Sequence, residues 1–151
     1  RGLGDVYKRQ EQLLVRRETF ELRREENQRG KALYKILSDL GIKIPSELKS
    51  CVSSCQLAGF AIAANRWYIG LNSICNGYVW SWLENSVVAG LKLIPLGQTD
   101  GQKIIFSLSK NIPNYVSLAK KIEDNKIFNS NPALAIASSR HESQYTRFYR
   151  S

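Results

Sequence analysis

Apolar residues return every three or four positions along most of this chain, and no segment shows the strict alternation of a half-buried strand. Leu33, Ile36, Leu37 and Leu40 form one stripe, and Leu57, Phe60, Ala61, Ala64 and Trp67 a second. A third runs through Ile104, Ile105, Leu108, Ile112, Tyr115, Val116 and Ala119. A period near 3.6 predicts amphipathic helices. Residues 71–94 differ, because Ile74, Tyr78, Trp82, Leu83, Val87, Ala89 and Leu93 cover much of a helix's circumference. A helix apolar on most sides belongs at the centre of a bundle. The pattern therefore predicts an all-α fold, a single bundle domain of about five helices around a central apolar helix, 71–94.

Helix formers fill residues 11–40 without proline, so that stretch reads as one long helix, stopped by Gly41 and then Pro45. Residues 46–67 read as a second helix. Ser86, Ala89 and Gly90 lie on one side of the third and would let a neighbour approach closely. The fourth is bent or restarted at Pro113, a polar linker covers 124–130, and Asn131 as N-cap with Pro132 at the first helical position opens the last. The most densely specified stretch is residues 92–102. Pro95 ends the third helix, Gly97 supplies a position free to take positive φ, and Thr99 with Gln102 has capping-box spacing for the next helix. This is either a plain helix-turn-helix corner or an exposed docking site built from Lys92, Gln98, Thr99 and Asp100.

Charge and cysteine content narrow the classes. The net charge is +9, yet acidic residues interrupt most basic runs, and no Gly-rich phosphate loop, zinc spacing or aromatic RNA-binding motif is present. Glu and Arg at helical spacing across residues 16–29 read as a solvated face, with a partner surface around Glu18, Glu21 and Arg24 as the alternative. Cys51, Cys55 and Cys75 are odd in number and sit in apolar surroundings, which fits reduced core thiols of a cytosolic protein. His141 is the only histidine, and no nucleophile or orienting group is pinned beside it, so no catalytic or metal-ligating set is predicted. Neither a signal peptide nor a membrane span is supported. Residues 1–10 resemble a translated sequencing adaptor and are expected to lie outside the packed fold. With no methionine anywhere, the chain reads as a fragment.

The chain's end mixes Arg with Tyr and Phe, the types that concentrate binding energy at interfaces. It runs Ala137-Ser138-Ser139-Arg140-His141-Glu142-Ser143-Gln144-Tyr145-Thr146-Arg147-Phe148-Tyr149-Arg150-Ser151. Together with Leu93-Ile94-Pro95-Leu96-Gly97-Gln98 and Arg17-Glu18-Thr19-Phe20-Glu21-Leu22-Arg23, it resembles the UreF family of urease accessory proteins over residues 11–151. The family's N-terminal portion, with its Gly- and Ser-rich loop, has no counterpart here.

That resemblance implies an all-α, non-enzymatic, cytoplasmic and dimerising scaffold. It would join UreD (UreH in some systems) to the GTPase UreG for nickel insertion into apo-urease, with no cofactor of its own and no nucleic-acid or membrane partner. By position, residues 140–151 would order against UreD/UreH, with Arg140, His141, Tyr145 and Phe148 in contact and Arg147 shaping the UreG-docking surface. Glu21 and Lys92 match charged positions implicated in partner contact, and Gly97, Gln98 and Asp100 go with the same region. The competing functions are a nickel-binding chaperone using Cys51, Cys55, Cys75 and His141, and a basic helical nucleic-acid-binding module.

Overall fold

Eight α-helices and no strand make up the regular structure of residues 3–127 and 131–145, which this computed structural model describes. The expected class is therefore met, but eight helices stand where five were expected, because several long periodic runs are broken. No helix among the described residues is long and apolar enough to cross a membrane. Two compact units divide these residues: the first contains 3–63 and 131–145, the second Ala64–Ile127.

In the first unit, the helix expected over 11–40 is two helices, α1 (Leu3–Val15) and α2 (Phe20–Asp39). The break is set by Thr19, which takes extended φ and ψ and accepts the N–H of Leu22 on its hydroxyl. A buried threonine with a bonding partner elsewhere in the fold outweighs the helix propensity around it. Gln10 Nε2 donates to Ser54 Oγ, so α1 touches the helical segment Lys49–Ser54, 44 positions further along the chain. The far end of α2 closes as glycine predicts. Gly41 has φ of 73°, its N–H bonds Ser38 O at 2.9 Å, and the N–H of Ile42 bonds Leu37 O at 3.0 Å. That is the Schellman pattern. Its two apolar ends, Leu37 and Ile42, meet Ala63 in the core of this unit.

The helix expected over 46–67 is also interrupted. A 3-10 turn, Ser46–Leu48, leads into α3 (Lys49–Ser54), and Cys55 at φ −142° and ψ 116° separates it from α4 (Gln56–Arg66). Two features explain the interruption. The carboxylate of Glu26 accepts the N–H of Gln56 at 3.0 Å, placing a negative charge on the N-terminus of α4. Gly30 of α2 lies against the broken backbone, so close that a Cβ there would stand 2.6 Å from Cys55 N. Cys51 and Cys55 are buried free thiols. The unit is completed by α8 (Pro132–Glu142), whose N-cap Asn131 accepts from Leu134 N at 3.1 Å, as the sequence predicts.

In the second unit α5 (Leu71–Leu91) is packed by α6 (Gln98–Ser109) and α7 (Ile112–Ala119), with Leu83, Ile112 and Val116 at the core and Cys75 against it. The expectation of a helix buried on most sides is not met. Both neighbours cover one side, so Leu83 alone of α5 is buried and Trp80 and Trp82 remain exposed. Nothing approaches Gly90, and the close approach is instead made at Gly101 of α6, which receives the side chain of Leu91. The restart at Pro113 occurs as expected, with Asn111 as N-cap of α7. The predicted capping box is absent. Gly97 is the N-cap at φ −72° and ψ 159°, not at positive φ, and its carbonyl takes the N–H groups of Asp100 and Gly101. Starting at Gln98 puts Thr99 inside the first turn, where its side chain no longer caps.

Candidate functional site

Five side chains fasten the last helix to the start of α2. Ser138, His141 and Glu142 fall at i, i+3 and i+4 on α8, hence on one face. Thr19 and Glu21 occupy the N-cap and first turn of α2. The Oγ1 of Thr19 and the Oγ of Ser138 are 2.8 Å apart, and both residues are buried. The Nδ1 of His141 lies 2.9 Å from each carboxylate oxygen of Glu21. Glu142 Oε1 accepts the backbone N–H of Glu21 at 3.3 Å.

The electrostatics of this clasp agree with both helix ends. A helix N-terminus leaves N–H donors unsatisfied and carries partial positive charge, while a C-terminus carries partial negative charge. Glu21 lies in the first turn of α2, and His141 with Arg140 lies in the last turn of α8. Of the early α2 donors, Leu22 N–H is taken by Thr19 and Glu21 N–H by Glu142. Each helix therefore supplies what the other's end lacks.

A second network underlies the first. Arg17 Nη2 donates to Glu26 Oε2 at 2.9 Å, while Glu26 Oε1 holds Gln56 N–H. Arg23 Nη1 donates to the Arg17 carbonyl at 2.8 Å. The short connection from α1 to α2 is thus tied to α2 itself and presents Thr19 to Ser138.

Of the residues singled out from sequence, the structure brings Glu21 and His141 into direct contact, with Arg140 exposed on the same helix and Tyr145 almost fully exposed just beyond it. Arg147 and Phe148 lie outside the described residues. Lys92, Gly97, Gln98 and Asp100 form their own exposed corner in the second unit: Lys92 is the C-cap of α5, and Asp100 pairs with Lys103 at 3.0 Å. Sequence reasoning missed Thr19, Ser138 and Glu142 as a set. The signal available was a threonine inside an otherwise unbroken run of helix formers.

Burial raises the Cys51 thiol above its ordinary range, with the neighbouring Cys55 adding to it, and burial likewise raises Cys55. Among the described residues no group of three or more His, Cys, Asp or Glu side chains converges as a metal site. A cavity of about 390 Å³ in the second unit is lined by Asn72, Asn76, Pro113, Val116, Ser117, Lys120 and Lys121, none of them a candidate partner-binding residue.

The family model UreF matches residues 3–109. The chain is 47% identical over 146 residues to the urease accessory protein UreF of Alcanivorax borkumensis, covering 92% of this chain and 63% of that protein. It is 41% identical over 139 residues to the UreF proteins of a Marinomonas species and of Klebsiella pneumoniae, covering 92% of this chain and 60% and 62% of theirs. The chain thus spans about three fifths of the length of these curated relatives.

Proposed function

We propose, from the premise that this chain belongs to the UreF family of urease accessory proteins, that it serves urease maturation as a non-enzymatic scaffold. In this reading it joins UreD/UreH to the GTPase UreG, regulates that GTPase, and acts as a homodimer while nickel, the cargo, is loaded into apo-urease. The observation that carries the reading is the clasp. It fixes the last described helix on the N-terminus of α2, so the Arg- and aromatic-rich tail starts from a defined place beside Glu21 rather than from a loose end.

A tail that orders on a partner loses conformational entropy, and its affinity must come from a few strong anchors. Tyr145 and Phe148 are assigned to packing against UreD/UreH. Arg147 is assigned to charge-assisted hydrogen bonds at the UreG surface. The nickel-chaperone alternative has no comparable support: Cys51 and Cys55 are buried thiols of the first unit, Cys75 packs against the core of the second, and the His141 ring is engaged by Glu21.

The test is co-purification of a full-length protein with UreD/UreH and UreG together. Arg147→Ala should leave the protein folded and lose UreG from the assembly. Loss of a buried charge-pair contact costs about 2 to 5 kcal/mol, more than tenfold in affinity. Recovery of all three components at wild-type levels by Arg147→Ala refutes the assigned role.

A further inference from the structure

We propose that the cavity between α5 and α7 is a binding site for a small hydroxycarboxylate, a ligand that brings both negative charge and a neutral hydrogen-bond donor. The proposal is independent of the scaffold reading, because the cavity lies wholly within the second unit and shares no residue with the clasp or the tail.

Charge selects an anion. Lys120 and Lys121, where α7 ends, both line the cavity, and no described Asp or Glu does. The first turn of α5, on the other wall, carries no acidic residue either. A helix C-terminus favours lysine, which accounts for the residue type but not for its direction. Lys120 reaches across to the other helix, where its Nζ donates to Asn72 Oδ1 at 2.6 Å. That partner is neutral, so the ammonium is held in place with its charge uncompensated and with donors left to offer. The Asn72 amide, having accepted through its oxygen, keeps its own N–H donors for a ligand.

Shape and polarity narrow the class of anion. At about 390 Å³ the space falls within the range of small-molecule sites and exceeds what one bare ion fills. Pro113 and Val116 give it an apolar wall for a carbon skeleton, and Ser117 adds a hydroxyl. Asn76, one turn after Asn72 on α5, lines the same space, and its Oδ1 is buried without a hydrogen-bond partner among the described residues. A buried carbonyl oxygen left unpaired is costly, and a turn about the soft Cβ–Cγ torsion presents it to the cavity. A donor on the ligand then satisfies it. Beside two lysines that donor is a neutral hydroxyl rather than an ammonium, which the like charges disfavour.

Isothermal titration calorimetry of the 151-residue chain with L-malate, at a constant ionic strength of about 0.15 M, should show one saturable site with a dissociation constant of about 1 mM or tighter. Succinate, which lacks the hydroxyl, should bind about fivefold more weakly, the loss expected for one hydrogen bond. Lys120→Gln combined with Lys121→Gln should weaken malate binding about tenfold. Lys110→Gln, at a lysine stacked on Phe106 outside the cavity, should leave it unchanged. Asn76→Ala should bind malate and succinate alike, a loss of discrimination that a general loosening of the fold does not produce, and melting curves check that each variant is folded. Four results overturn the proposal: no saturable heat with malate, equal affinity of the wild-type chain for malate and succinate, inorganic phosphate bound as tightly as malate, or equal weakening by Lys110→Gln.

Discussion

Glu26 offers the sharpest test of what holds the first unit together. Its side chain is 4% exposed and its two oxygens are both used, one by Arg17 Nη2 at 2.9 Å and one by Gln56 N–H at 3.0 Å. Hydrogen bonds to a charged group contribute about 1.5 to 3 kcal/mol each, so Glu26→Ala removes two such bonds and leaves a small cavity. Arg17 is 34% exposed, and its freed guanidinium can turn to water, which keeps the loss below that of a fully buried pair. The expected destabilisation is about 2 to 4 kcal/mol, or roughly 5 to 15 °C in melting temperature for a chain of this size. Glu26→Gln retains an acceptor for Gln56 and loses only the charge, so about half that effect is expected. Urea unfolding followed by circular dichroism measures both, provided the slopes match wild type so that midpoints report stability. A Glu26→Ala protein within about 0.5 kcal/mol of wild type refutes the reasoning, since surface substitutions fall in that range.

Gly30→Ala should also destabilise: a Cβ there meets only main chain, 2.6 Å from Cys55 N, 2.9 Å from Ser54 C and 3.0 Å from Ser53 O. Overpacking of about 1 to 3 kcal/mol then outweighs the gain in helix propensity of roughly 1 kcal/mol, and a urea midpoint equal to wild type or higher counts against the close approach. The raised thiols of Cys51 and Cys55 predict that both stay protonated at neutral pH and are alkylated at pH 8 at least about tenfold more slowly than in the urea-unfolded chain. Because the folded state holds these protons more tightly, the linked stability is present at neutral pH and falls as pH rises through the folded-state values; stability that increases there contradicts the assignment.

What was legible in the sequence is what depends on neighbours within a turn or two. Gly41 declared the end of α2, because only glycine adopts φ of 73° without strain, and the partners that close that end, Leu37 and Ile42, are five residues apart. Asn131 before Pro132 declared the start of α8 in the same way. The illegible features depend on residues far along the chain. Residues 11–40 have the propensities of one helix, and nothing local says that Thr19 should leave it; the reason is Ser138, 119 positions away. Cys55 breaks its helix because Glu26 waits for the N–H of Gln56, 30 positions further along. At the corner a local signal was present and lost. Thr99 and Gln102 could cap a helix, but Gly97 starts one two residues sooner and leaves Asp100 free to pair with Lys103.

The clasp shows why the candidate site was half visible. Glu21 and His141 could each be picked out, by resemblance and by residue type, but as separate partner contacts on opposite ends of the chain. Their pairing 120 positions apart changes what each can do. A carboxylate in the first turn of α2 that grips an imidazole in the last turn of α8 determines where the tail begins before it meets anything. Substituting Glu21 would then disturb partner binding in two ways, by removing a surface charge and by freeing α8. Glu21→Gln and Ser138→Ala separate the two: a binding loss shared by both variants belongs to the clasp, and a loss confined to Glu21→Gln belongs to the surface charge.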